Sequence, residues 1–60
     1  MDNKQAVLLI DPTAKLNIWV NADGRHGYWV LGDGFETKVT YSENRAWELA
    51  ATEVVKVVVK

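Results

Sequence analysis

The 60-residue chain has no cysteine, one proline, one histidine and one serine. Without cysteine there is no disulfide framework, no thiolate metal site and no thiol nucleophile. Charge of one sign is missing too. Seven basic residues against eight acidic give a net charge of −1, which indicates neither a polybasic nucleic-acid tail nor an acidic mimic of one. Long apolar runs are absent: the first, Ala6 to Ile10, has five residues, far short of the roughly 20 that cross a bilayer. Met1-Asp2-Asn3-Lys4-Gln5 carries an acid where a secretory signal is positively charged. No membrane association is expected, and the cytoplasm is the expected compartment.

What is present suits a globular fold. Hydrophobic residues make up 48% and charged residues 25% of the chain, enough apolar matter to build a core. One domain, residues 1–60, is expected. At 6.8 kDa it buries a small share of its surface and is marginally stable.

The pattern reads as an α+β domain: a small, mostly antiparallel sheet with one helix packed on one face, in the order β-β-β-β-α-β. Ala6-Val7-Leu8-Leu9-Ile10 is a short continuous apolar run of strand type. Asp11-Pro12 opens a turn, with proline at the second position and the aspartate able to bond its own backbone. Leu16 to Asn21 alternates with period two, which marks a half-buried strand. Asp23-Gly24 between strand-like runs reads as a two-residue type I′ hairpin. Centred there, the turn sets Ile18 opposite Trp29 and Leu16 opposite Leu31. One face is then apolar (Leu16, Ile18, Val20, Trp29, Leu31), and the other carries Asn17, Trp19, Asn21, His26, Tyr28 and Val30. A loop over Asp23–Arg25 would instead set Trp19 against Trp29. The buried face decides register and favours the first arrangement.

Gly32-Asp33-Gly34 reads as a three-residue turn into a fourth strand, Phe35 to Tyr41, with Leu31 opposite Phe35 and Val39 on the core face. Gly27 is read with the other glycines as a turn residue. Ser42 caps a helix with Glu43 in its first turn. Five valines in the last seven residues favour a final strand, because β-branched side chains suit a pleated surface. Glu48, Thr52, Lys56 and Lys60 recur every four residues, so a single helix to the C-terminus is the alternative.

Catalytic chemistry has few carriers. Ser42 is spent as a cap, and His26 lies beside a hairpin tip. Asp2, Asp11, Asp23 and Asp33 sit at the terminus or in turns, where aspartate serves the backbone. Asn21-x-Asp23-Gly24 resembles part of an EF-hand loop, but the first and twelfth ligand positions would be Trp19 and Val30. The glycines open no phosphate-binding loop. No enzyme activity, metal or cofactor is expected. Ile18 to Ala50 loosely resembles the three-strand-plus-helix domains that read DNA with a sheet, as in phage integrase arm-binding and plant AP2 domains. Those families carry several cations on the exposed strands, whereas Arg25 and Lys38 stand alone here, so the resemblance is not adopted.

Three tryptophans are the more informative feature. Trp29 and Trp47 fall on expected core faces. Trp19 projects from the opposite face with Tyr28 across from it, and Asn17, Asn21, Arg25 and His26 near. Exposed aromatic clusters rimmed by polar groups mark interaction sites. The expected function is therefore a small non-enzymatic protein-binding module, such as a phage-encoded or accessory protein docking on a larger partner through Trp19, Tyr28, Asn17, Asn21, His26 and Arg25. The alternative is a single-stranded nucleic-acid-binding domain that stacks bases on Trp19 and Tyr28, disfavoured by the net charge. A third reading, an engineered scaffold without a natural ligand, ranks last because the sequence is less regular than idealised designs. Another protein is the expected partner, and self-association through a sheet edge is a further option.

Overall fold

Asp2 starts the fold as a helix cap. In the computed structural model, which describes residues 2–59, its carboxylate accepts from Gln5 N at 2.8 Å while Gln5 Oε1 accepts from Asp2 N at 3.3 Å. This reciprocal capping box opens α1, Asn3–Ile10. The expected first strand over Ala6–Ile10 is therefore a helix. Lys4, Gln5, Ala6, Leu8 and Leu9 are good helix formers, and a five-residue apolar run cannot by itself tell strand from helix. The capping box supplies the missing information.

The Asp11 turn is as expected. Asp11 Oδ1 accepts from Thr13 N and from the Thr13 hydroxyl, and Ala14 N donates to Asp11 O at 3.1 Å. Three antiparallel strands follow: β1 Lys15–Val20, β2 His26–Gly32 and β3 Phe35–Glu36, in the order β1-β2-β3. A second helix, α2 Glu43–Val59, packs on β2 and β3 and against α1. The architecture is α+β, with three strands and two helices in place of the five strands and one helix of the expected β-β-β-β-α-β order.

The hairpin register differs from expectation by one residue. Leu16 pairs with Val30, Ile18 with Tyr28 and Trp19 with Gly27. The loop has three residues, Ala22–Gly24, closed by Asn21 N donating to Arg25 O at 2.9 Å. Gly24 takes positive φ and Asp23 does not, so the type I′ turn, which needs both, is excluded. Asn21 sets the choice: its side-chain oxygen accepts from Asp23 N and Arg25 N, tying down a type I turn that ends in a left-handed glycine. The second hairpin slips likewise. Gly32 pairs with Phe35 and Leu31 with Glu36, leaving a two-residue loop in which Gly34 alone takes positive φ.

The slips exchange the faces of β2. Val30 is fully buried, whereas Leu31 is half exposed and Trp29 is half-buried on the outer side. Trp29, Leu31 and Val39 are thus not core residues. Ile18 and Val20 share the helix-side face yet remain 58% and 55% exposed, because α2 covers β2 and β3 rather than β1. The core is Val7, Ala14, Val30, Phe35, Ala46, Trp47, Ala50 and Val54.

The expected fourth strand is short. Thr37 N still donates to Val30 O at 3.0 Å; the chain then leaves the ladder and rejoins it at Thr40, which exchanges backbone hydrogen bonds with Tyr28 at 2.6 and 2.8 Å. Between them one residue is extra, as in a bulge. The Thr37 hydroxyl accepts from Val30 N, so the buried amide stays paired.

Ser42 caps α2 as expected: Arg45 N donates to its hydroxyl and Ala46 N to its carbonyl. The expected strand after Val54 is helix through Val59, with Lys60 outside the described residues. No glycine or proline follows Ser42 to stop propagation. Val54 is buried at i+4 from Ala50, and Val57 packs against the core. That burial outweighs the few tenths of a kcal/mol each valine loses in a helix. Among the described residues no helix is long and apolar enough to cross a membrane.

Candidate functional site: the uncovered face of the sheet

Both helices pack on one side of the sheet, and among the described residues no element covers the other side. By strand alternation that outer side carries Lys15, Asn17 and Trp19 from β1. Gly27, Trp29 and Leu31 from β2 lie across from Trp19, Asn17 and Lys15 respectively. Glu36 stands beside Leu31. Trp19, Leu31 and Val39 are 49%, 48% and 56% exposed.

Gly27 positions Trp19. A Cβ on Gly27 would come within 2.7 Å of Val39 Cγ1 and 3.3 Å of Trp19 Cε3. The indole and the Val39 side chain therefore both lie over the bare glycine backbone. Gly27 is a mid-strand residue, not the turn residue expected, and its role is close approach rather than conformational freedom. The Trp29 ring is half-buried one diagonal step away. The result is an apolar surface of two tryptophans, a leucine and a valine, with Lys15 and Glu36 at its margin.

The six expected site residues divide among three places. Trp19 and Asn17 belong to the outer face. Tyr28 is not across from Trp19: it faces Ile18 on the helix side. His26 shares that side, its ring stacked on Tyr28 with centroids 6.3 Å apart. Arg25 lies beyond the strand with its guanidinium 5.7 Å from the Tyr41 ring centroid. These four residues line an open cleft of about 370 Å³. Asn21 is a loop organiser, its side-chain oxygen spent on two backbone amides. Trp29, Leu31 and Val39 join the outer face from the expected core. A glycine opposite a tryptophan inside an alternating run is the signal for this arrangement.

Ser42 and His26 do not combine as nucleophile and base on the contacts present. The hydroxyl serves the α2 cap and the imidazole stacks on Tyr28. Among the described residues no three of His, Asp and Glu gather as metal ligands. Asp11 is held below the usual 3.8, first by the Thr13 hydroxyl and then by Asp33 N, with burial opposing. Its 2.7 Å bond from Asp33 N ties the end of α1 to the β2–β3 turn, so its role is structural. In comparison with protein-family models, with curated proteins and with solved structures, the chain matches none.

Proposed function

We propose that the chain is a small non-enzymatic protein-binding module whose contact surface is the outer face of the sheet, centred on Trp19 and Trp29. One observation carries this reading: the face opposite the helices holds two tryptophans, Leu31 and Val39, and among the described residues no layer lies over them. A covered strand face keeps large apolar groups because the core needs them. An uncovered one has no such need, and threonine or lysine would serve there at little cost. Aromatic side chains of this kind dominate the energetics of protein interfaces.

Stacking of single-stranded bases on the same two rings is the rival reading. The surroundings argue against it: Lys15 and the acidic Glu36 both flank Leu31 on this face, and the chain is net negative. Parent and Trp19→Thr proteins, each used as bait in the source cell extract, separate the ideas. The proposal predicts a captured protein that the variant loses, with binding weakened by about 2 kcal/mol or more. It also predicts no salt-sensitive change in tryptophan fluorescence on adding an oligonucleotide. Identical captures by both baits would refute the proposal, and a fluorescence change abolished by salt would favour the rival.

A further inference from the structure

β1 is one of the two edge strands of the sheet, and among the described residues nothing pairs with or guards its free edge. Outer strands are commonly protected by proline, a bulge, several charges or very short length. β1 has six residues, no proline, regular pairing with β2 throughout, and one charge, Lys15, at its end. The hydrogen-bond phase can be read from its neighbours. Tyr28 exchanges both backbone bonds with Thr40, and the Val30 carbonyl accepts from Thr37 N. Tyr28 and Val30 therefore turn away from Ile18 and Leu16, whose N–H and C=O groups point to the free edge, as do those of Val20. The same three residues carry apolar side chains on the helix side, where Ile18 and Val20 are 58% and 55% exposed.

From these observations we infer that the edge is completed by a second copy of the chain, β1 pairing antiparallel with the partner's β1 about a two-fold axis at Ile18. This register uses the edge groups of all three residues at once. Ile18 meets the partner's Ile18, and Leu16 meets the partner's Val20. Every pair on the helix side is then apolar, and like charges nowhere face each other: Lys15 lies across from the partner's Asn21, near the partner's Asp23. On the outer side Asn17 meets the partner's Trp19, so the two apolar surfaces join across a six-stranded sheet. A six-residue edge covers less than the roughly 800 Å² per partner of a standard interface, so the dimer is reversible and concentration-dependent. This inference goes beyond the binding proposal and does not depend on it. A dimer with an inert outer face and a monomer whose outer face binds are different results.

Sedimentation equilibrium over a wide concentration range tests it, with two variants. The parent should move from the 6.8 kDa of one chain toward twice that mass. Ile18→Lys sets two ammonium groups against each other and should abolish the shift, with an unchanged circular dichroism spectrum. The described residues hold no cysteine, so Ile18→Cys reports register directly. Paired Cα atoms would lie about 5.5 Å apart, within disulfide reach, and mild oxidation should cross-link this variant much faster than Val39→Cys. If Ile18→Lys fails to fold, the cysteine pair decides. A parent that stays monomeric up to millimolar concentration overturns the inference. So does a dimer that persists in Ile18→Lys, or equal cross-linking of the two cysteine variants.

Discussion

The two faces of the sheet are built from neighbouring residues with similar side chains, yet they meet different surroundings. Val30 and Leu31 are adjacent in β2; the first is fully buried under α2, and the second is half exposed. Trp47 and Trp19 contrast in the same way, at 5% and 49% exposure. Hydrophobicity alone therefore does not identify the core. The covered face is the one whose phase matches the helices, and one residue of register decides which side chains enjoy it.

Substitutions can break this contrast. The largest effect is expected from Trp47→Ala, about 3–5 kcal/mol for a buried large aromatic, enough to unfold so small a domain. Urea or thermal unfolding followed by circular dichroism will show it. Trp29→Ala, on the other face, should cost about 1–2 kcal/mol, nearer the ordinary range for point substitutions. Next comes the adjacent pair. Val30→Ala should cost about 2 kcal/mol, and Leu31→Ala less than about 1 kcal/mol; the reverse order would restore the register of a two-residue turn. Gly27→Ala should cost about 1–2 kcal/mol, because a methyl group there pushes on Val39 and Trp19. The displaced indole should alter the near-ultraviolet circular dichroism.

The smallest effect is a pH dependence. The Asp11 carboxylate is depressed in the fold by the Thr13 hydroxyl and Asp33 N, so its contribution is fully present above the unfolded value. It is lost as pH falls below about 3.8 through the folded value. In Asp11→Asn, acid unfolding followed by circular dichroism should lose part of its steepness in that range.

Much of this was legible in the residues. The α+β class, the Asp11 turn, the hairpins, the Ser42 cap and the burial of Trp47 follow from local chemistry that acts over three or four positions. The first helix was missed: Asp2 and Gln5 form its capping box, but the apolar run after them reads equally well as a strand. Register was not legible. Asn21, Asp23 and Gly24 support several loops, and the choice lies in which amides the Asn21 oxygen accepts. The valine-rich end was ambiguous for a related reason. Its propensity favours a strand, and only the position of α1 and the β2–β3 turn makes Val54 and Val57 worth burying in a helix. Of the expected site, Trp19 and Asn17 share the uncovered face, while Tyr28 and His26 went to the opposite side with the shift of register.

The indole signals of the three tryptophans, recorded by NMR as a soluble paramagnetic agent is added, test the two-faced sheet most directly. Trp19 should broaden strongly, Trp29 to an intermediate degree, and Trp47 should persist. If Trp29 persists with Trp47 while Trp19 alone broadens, Trp29 lies in the core and the faces have been assigned wrongly.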